Sequence, residues 1–396
     1  MKTLMTLTRL TRLGTPVLTL AALVGAVMMW PDGAASHVTT TNTVLFDREV
    51  VDILDRHCVG CHGTDTVAAP LVSYEQTWLA RDAVLASVLE RHMPPWAAVA
   101  GYGRFANDNS LTLRETQFLI SWVEGLGPRN DGAVFLNVRD PGDVPPEVRA
   151  NTEAPGWTLG EPDRVIDLEP VVVGPGQGAR IERQTIDPGF DGDVAVRAIE
   201  YIPGAGGVVR AVTFRVEETG QWLAGWTPWH GVVELPEGVR YRLRAGSRIA
   251  VEITYGVTNV RREDRGRLGL YLDAGAGDFQ VPFDIVLEST GPVPAGATDA
   301  RFQADVEVSG PINALALAPQ FEPGIESIEV TARRPDGGTD ILLFARDIPV
   351  DWPTPYVFAE AVPVMAGSRL RVTAYYANSS GAQRPGGIRV VVSAYE

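Results

Sequence analysis

The sequence contains little of what disulfide frameworks and metal sites are usually built from. Its 396 residues include two cysteines, Cys58 and Cys61, and five histidines. Two cysteines three positions apart exclude a disulfide framework and a cysteine-rich zinc site. Basic residues are also scarce: the sequence has 34 Lys and Arg against 49 Asp and Glu, so its formal net charge is −15. That balance argues against a protein that binds nucleic-acid phosphates.

The N-terminus has the features of an export signal in their usual order. Three basic residues precede an uncharged stretch from Leu13 to Pro31, and small residues follow it. This order predicts a secretory signal peptide over residues 1–35. The alternative is an uncleaved membrane anchor over residues 13–31, because 19 uncharged residues can span a bilayer. Both interpretations predict that the rest of the chain is periplasmic.

The two cysteines belong to the sequence Cys58-Val59-Gly60-Cys61-His62. C-x-x-C-H is the attachment motif of c-type haem. Two thiols about one helical turn apart can add to the two vinyl groups of one porphyrin edge, and His62 then serves as the proximal iron ligand. A thioredoxin-like redox pair has the same cysteine spacing but needs a βαβ context. Here the preceding residues, 46–57, have helical spacing, so we predict haem attachment.

The second axial ligand can be sought by elimination among the six methionines. Four of them lie in the predicted export signal, and Met365 lies in a C-terminal region of β pattern. Met93 follows a predicted helix over residues 78–91. A thioether ligand raises the reduction potential relative to a second imidazole and suits electron transfer. We therefore predict Met93, with His92 or water as alternatives, and we expect His57 on a helix surface near the haem edge.

A third helix completes the predicted haem domain. Thr112 and Glu115 have the spacing of a capping box, and Gly127-Pro128 is expected to end the helix. Its apolar stripe consists of Phe118, Leu119, Trp122, Val123 and Leu126. Three helices around a covalent haem predict a small all-α cytochrome c domain over residues 44–130.

Beyond residue 130 the pattern changes from helical to alternating. Residues 131–154 are rich in Pro, Gly and Asp and are predicted to be a linker. Segments such as 249–255 and 369–375 alternate with a period of two and are bounded by Gly and Pro. This pattern predicts β-sandwiches.

An internal repeat indicates two copies of one fold. Ala245–Ile249 reads AGSRI, and AGSRL follows 121 residues later. Pro203-Gly204 recurs as Pro323-Gly324, 120 residues later. Two landmarks in nearly the same register predict one sandwich over residues 155–275 and another over 278–396.

The order of these motifs resembles a bacterial family of fusion proteins. In that family a c-type cytochrome domain precedes the two β-sandwiches of an ascorbate-dependent type II copper monooxygenase, the peptidylglycine-hydroxylating type. The resemblance runs from Phe46 to the end, about 350 residues. It is carried by Cys58–His62, HMPPW at His92–Trp96, FANDNSLTLRETQFLISWVEGLGP at Phe105–Pro128, GWTLGEPD at Gly156–Asp163, EYIPGAGGVVRA at Glu200–Ala211, RRPDGG at Arg333–Gly338 and YYANSS at Tyr375–Ser380.

The positions that the resemblance assigns to copper ligands carry other residues here. The family has a His-His pair where this chain has Arg210-Ala211, and a histidine where it has Thr254. A His-rich motif is replaced by Ala318-Pro319-Gln320-Phe321, and the late methionine ligand has no counterpart up to Glu396.

A count of residues also indicates, without the resemblance, that the copper ligands are missing. Residues 131–396 contain one histidine, one methionine and no cysteine. A type II copper site needs several imidazole ligands, so we expect no copper. We expect His230 to be a loop residue beside aromatic side chains. The nearby Trp222, Trp226 and Trp229 are expected to pack at a sandwich end, with a binding surface as the alternative.

The sequence therefore predicts a multidomain protein with a signal or anchor, an all-α cytochrome c domain and two jelly-roll-like β-sandwiches. We expect a periplasmic monohaem cytochrome that carries one haem c, held by Cys58 and Cys61, with His62 and Met93 as axial ligands. We expect the protein to be an electron carrier rather than an enzyme. Its two sandwiches are expected to dock it or to serve as a scaffold in a larger assembly. Expected partners are redox proteins, including a membrane-bound electron-transfer complex. The alternatives are a copper- and ascorbate-dependent monooxygenase-like oxidoreductase and a structural subunit of a membrane redox complex.

Overall fold

The computed structural model describes residues 43–63, 68–130, 156–273, 275 and 277–396. The predicted signal or anchor (1–35) and the predicted linker (131–154) lie outside the described residues. Within those ranges, no helix has both the length and the apolar character needed to cross a membrane.

In the described part of the chain, three α-helices form, and a π-helical turn precedes the first. Their bounds are Phe46–Val50 for the π-helical turn, Val51–His57 for α1, Tyr74–Leu89 for α2 and Leu113–Glu124 for α3. Ser73 begins α2 by accepting a hydrogen bond from the backbone N of Gln76. Thr112 and Glu115 form the predicted capping box at the start of α3, which confirms that local signal.

The three helices share an apolar core that contains most of the predicted stripe. Leu119, Trp122 and Val123 are buried in it, together with residues of α1. Leu126 departs from the prediction, because its side chain is 79% exposed. The cause is the helix end: α3 stops at Glu124, and Leu126 has a left-handed φ of 64° that takes it off the helical stripe.

Nineteen β-strands are found in the described residues after the helices. They are β1 Arg164–Asp167, β2 Val171–Val173, β3 Arg180–Ile186, β4 Val194–Ile202, β5 Val209–Val216, β6 Trp222–Trp226, β7 Val232–Glu234, β8 Tyr241–Leu243, β9 Ile249–Tyr255, β10 Arg262–Asp264, β11 Arg267–Leu272, β12 Phe283–Val293, β13 Ala300–Glu307, β14 Ile312–Phe321, β15 Ile325–Arg333, β16 Thr339–Arg346, β17 Tyr356–Val364, β18 Arg369–Tyr376 and β19 Arg384–Tyr395.

The strands build two β-sandwiches with the same topology. The first has sheets of order β3-β9-β5-β6 and β1-β11-β4-β7, with β8 also paired to β4 and with β2 and β10 as a separate pair. The second has sheets of order β13-β18-β15-β16 and β12-β19-β14-β17. These orders correspond strand for strand, the arrangement expected of two copies of one fold.

The repeated sequence landmarks fall at equivalent places in the two sandwiches. Gly246 and Gly367, in the AGS turns, precede β9 and β18 and have φ values of 70° and 74°. Glycine adopts such positive φ values without the steric cost that other residues meet. In each strand that follows, alternate side chains are buried in the sandwich core: Ile249, Val251 and Ile253 in β9, and Leu370, Val372 and Ala374 in β18.

A buried carboxylate fastens the turn after β4 to the strand β9. Asp264 is 1% exposed, and its Oδ1 accepts hydrogen bonds from the backbone N of Gly204 at 2.7 Å and of Ala205 at 2.8 Å. Its Oδ2 accepts a third from the Tyr255 hydroxyl at 2.7 Å. Burial, reinforced by the carboxylate, raises the pKa of Tyr255 far above its ordinary value, so the hydroxyl stays protonated and donates.

We expect Asp264→Ala to lower the free energy of unfolding by about 2 to 4 kcal/mol, because the buried Tyr255 hydroxyl and two part-buried backbone N–H groups lose their acceptor. Asp264→Asn is the matched control, since its carbonyl oxygen can still accept from Gly204 and Ala205. Denaturant unfolding of both variants and the wild type checks this. Equal destabilisation by alanine and asparagine would contradict the role given to these hydrogen bonds.

Candidate functional site

The Cys58–His62 motif forms a single turn directly after α1. The carbonyl oxygen of Cys58 accepts hydrogen bonds from the backbone N of Cys61 at 3.0 Å and of His62 at 2.8 Å. Both cysteines are free thiols and half-buried. The turn therefore holds the two sulfurs and the imidazole in one short segment.

Burial raises the pKa of both thiols to about 12. Nucleophilic and redox-active cysteines have the opposite property, a pKa lowered by positive charge or a helix N-terminus. The motif also follows a helix rather than the strand of a βαβ unit. Both observations disfavour the thioredoxin-like interpretation.

The His62 imidazole is oriented by a backbone carbonyl. Its Nδ1 lies 2.8 Å from the carbonyl oxygen of Ala69. A carbonyl oxygen only accepts hydrogen bonds, so Nδ1 carries the proton and the lone pair is on Nε2. This is the second contact that metal-ligating histidines typically make, and it leaves Nε2 available to a metal.

The two candidates for the second axial ligand differ in their surroundings. The His92 side chain is 72% exposed, and its Nδ1 lies 3.3 Å from Glu90 Oε2. Met93 is half-buried, and its backbone N donates to the carbonyl oxygen of Ser87 at 3.2 Å. The end of α2 thus turns His92 to solvent and keeps Met93 partly covered.

His57, the last residue of α1, is packed against Asn109 and the start of α3, and the expectation of a surface position is wrong. Its side chain is 12% exposed, with Nδ1 3.0 Å from Asn109 Oδ1 and Nε2 3.4 Å from Glu115 Oε1. Glu115 also pairs with Arg56 at 2.8 Å. Burial opposes ionisation of Glu115, but the hydrogen bonds from Thr112 and the charge of Arg56 hold its pKa below the usual range.

The motif also lies against the first sandwich. A Cβ built on Gly60 would lie 3.2 Å from the carbonyl oxygen of Pro228, in the loop between β6 and β7. In the same loop, Trp229 donates its Nε1 hydrogen bond to the carbonyl oxygen of Asn107 at 3.0 Å. This loop is therefore a direct contact between the first sandwich and the helical part.

The segment between α2 and α3 is paired with the second sandwich. Ala98 and Phe105 form isolated antiparallel bridges to Ala345 and Phe358. Phe105 belongs to the buried core of that sandwich. Asn107 adds two further contacts, because its Nδ2 donates to the carbonyl oxygen of residue 355 at 2.6 Å and its Oδ1 accepts from the backbone N of residue 357 at 3.0 Å.

A cation and two tryptophans lie at the meeting point of these parts. Arg210, on β5, forms an ion pair with Asp351, and its guanidinium lies 5.1 Å from the ring centroid of Trp352. The rings of Trp352 and Trp229 are 5.9 Å apart. The charge of Arg210 reaches Cys61, where it partly offsets the effect of burial on the thiol pKa.

His230 and the other two tryptophans are packing residues. His230 exchanges backbone hydrogen bonds with Thr227 at 3.0 and 3.1 Å in a tight turn, and burial lowers the pKa of its imidazole. Trp226 is buried in the core of the first sandwich. Trp222 is buried in a cluster with Ala316, Ala318 and Val391 of the second sandwich. The structure thus places two of the three in packed interiors, in agreement with the packing interpretation.

In the described ranges, no three side chains of His, Cys, Asp or Glu come together as a metal-binding group. At the positions that the resemblance assigns to copper, Arg210 is engaged with Asp351, Thr254 is buried on β9 and Ala318 packs with Trp222.

No local pattern in the sequence marks Arg210, Asp351 or Asn107 as site residues. The ion pair joins positions 141 residues apart, and the contact of Asn107 with residue 355 spans 248. Only the folded chain brings these residues beside the motif.

No protein-family model matches the chain, and no curated protein matches it. Several solved structures align with it at low similarity. They include the major capsid protein P2 of bacteriophage PM2 (TM-score 0.26, 10% identity, 58% of this chain and 98% of that chain), the mavirus major capsid protein (0.22, 8%, 66% and 92%) and the PBSX exported protein XepA (0.18, 14%, 57% and 86%). TM-scores this low carry no conclusion about function.

Proposed function

We propose that this protein is an exported, periplasmic monohaem c-type cytochrome that transfers single electrons between redox partners. The observation that carries the proposal is the Cys58–His62 turn, in which the Nδ1 of His62 is fixed on the carbonyl oxygen of Ala69. The two sandwiches are proposed to hold the helical part and to dock it in a larger assembly, and residues 1–35 to direct export or tether the chain.

The residues of this turn fit a covalently attached haem. Cys58 and Cys61 would hold the porphyrin through thioether bonds, and His62 would ligate the iron through Nε2. Met93 would supply the second protein ligand, because His92 is exposed to solvent beside Glu90. When bound, the haem supplies a one-electron Fe(III)/Fe(II) couple whose potential depends on the axial ligands and on burial.

The surrounding side chains would limit the access of water to that group. Val59, Leu71 and Val72 near the motif are buried, and Val84 and Val88 of α2 pack partly buried against the same core. A dry, apolar surrounding disfavours the more highly charged oxidised state and so raises the potential. His62 and Met93 would together supply two protein ligands to the iron, a ligand set that suits electron transfer.

The direct test is the metal content and redox behaviour of the full chain, matured in a host that attaches haem and supplied with copper. We expect about one iron and no copper per polypeptide, with a spectrum that changes reversibly between reductant and oxidant. The same chain made in a host without haem-attachment enzymes is the control and should contain no iron. One or two tightly bound coppers, with substrate-dependent oxygen uptake, would favour the monooxygenase alternative instead.

A further inference from the structure

One cationic side chain beside the haem-attachment turn is held by a carboxylate from the other sandwich. Arg210 lies near the start of β5 in the first sandwich, and Asp351 lies in the loop between β16 and β17 of the second. The Arg210 side chain is 20% exposed and that of Asp351 is 49% exposed, so the cation is the more buried partner of the pair. Charges in such places are screened less by water and salt than exposed ones.

The Arg210 guanidinium is enclosed by Trp352 and Gly256. On one side it meets the ring of Trp352, 5.1 Å from the centroid. On another it passes so close to Gly256 that a Cβ there would lie 2.5 Å from the Arg210 Nε. The ion pair, the aromatic ring and the glycine together fix the position of the charge.

The same cluster is in contact with the attachment turn. Trp352 is 5.9 Å from Trp229, whose neighbour Pro228 lies against Gly60 inside the motif. A fixed positive charge beside a redox group favours the state with one more electron.

We propose that Arg210 raises the reduction potential of the haem, and that Asp351 sets how large this effect is by pairing with it. The inference rests on the proposed function, because it requires a haem on Cys58 and Cys61. Arg210 is thus a tuning residue contributed by a sandwich rather than by the helical part, and the redox site spans both.

The test is the midpoint potential of the haem-loaded full chain and of charge variants. We expect Arg210→Gln to lower the equilibrium constant for reduction by about three- to tenfold, where tenfold is 59 mV for one electron. Asp351→Asn should raise it by about two- to threefold, since the cation loses its counter-charge. Arg210→Lys should keep most of the wild-type value, and the Arg210→Gln/Asp351→Asn double variant should lie between the two single variants.

An electrostatic role of Arg210 predicts potential shifts of opposite sign in Arg210→Gln and Asp351→Asn, whereas a purely structural role does not. Both single variants break the same ion pair, so thermal unfolding should change in the same direction in both. Arg369→Gln is the matched control: it removes an arginine that pairs with Asp305 at 2.8 Å between β18 and the edge strand β13, and it should leave the potential unchanged.

The outcomes distinguish this inference from the function on which it rests. Covalent haem with potentials that do not move, or that move in the same direction in Arg210→Gln and Asp351→Asn, would overturn the role of Arg210 alone. A wild-type chain that takes up no haem would overturn the proposed function itself.

Discussion

Replacing both cysteines, as Cys58→Ala with Cys61→Ala, is expected to lower covalently bound iron from about one per chain to near zero. These two thiols are the ones that can form thioether bonds to the porphyrin, because the sequence contains no other cysteine. The haem-staining band on a denaturing gel and the iron content of the purified chain measure the change.

Single variants and folding controls sharpen this test. Cys61→Ala should keep one thioether and therefore a haem that survives denaturation, with a shifted absorption spectrum. The β-sheet signal in circular dichroism should be retained in the double variant, because the sandwiches have cores of their own. The double variant should unfold at a lower temperature in its helical part, since a ligand that binds only the folded state stabilises it. Haem that stays attached to the double variant after denaturation would rule out thioether attachment.

Met93→Ala is expected to lower the midpoint potential by more than about 100 mV, because axial-ligand exchange spans roughly 0.8 V among haem proteins. Covalent attachment should be unaffected, because Cys58 and Cys61 are unchanged. Redox titration followed by absorption spectroscopy gives both quantities on one sample.

The adjacent residue provides the matched control for Met93. His92→Ala removes an imidazole that is exposed and paired with Glu90, so the potential and spectrum should stay at wild-type values. Met93→His should restore a six-coordinate spectrum at a lower potential, since imidazole favours the oxidised state relative to a thioether. If His92→Ala changed the spectrum and the potential while Met93→Ala left both unchanged, His92 would be the ligand instead.

The elements that the sequence predicted correctly depend on local signals. The capping box at Thr112 and Glu115 requires only four consecutive residues, and the period-two strands require only alternation. The repeat of AGSR indicated that β9 and β18 occupy equivalent positions in the two sandwiches, although the strands they pair with were unknown. Such signals survive in a single sequence because neighbours along the chain determine them.

The errors concern residues whose surroundings come from distant parts of the chain. His57 has the spacing of a helix-surface residue, yet Asn109 and Glu115 cover it. Leu126 continues an apolar stripe in the sequence, but the left-handed backbone at its own position ends the helix first. The Arg210–Asp351 pair has no periodicity or motif, so only tertiary packing reveals it.

The bridges from Ala98 and Phe105 to the second sandwich also fix the order in which the chain is completed. Their partners, Ala345 and Phe358, follow about 250 residues later in the chain, so the segment that contains Ala98 and Phe105 cannot make these bridges until synthesis has passed Phe358. Until then the segment around Phe105 lacks the strands that cover it, while Cys58 and Cys61 have already emerged. The proposed haem attachment can therefore begin before the loop that contains Pro228 packs against Gly60.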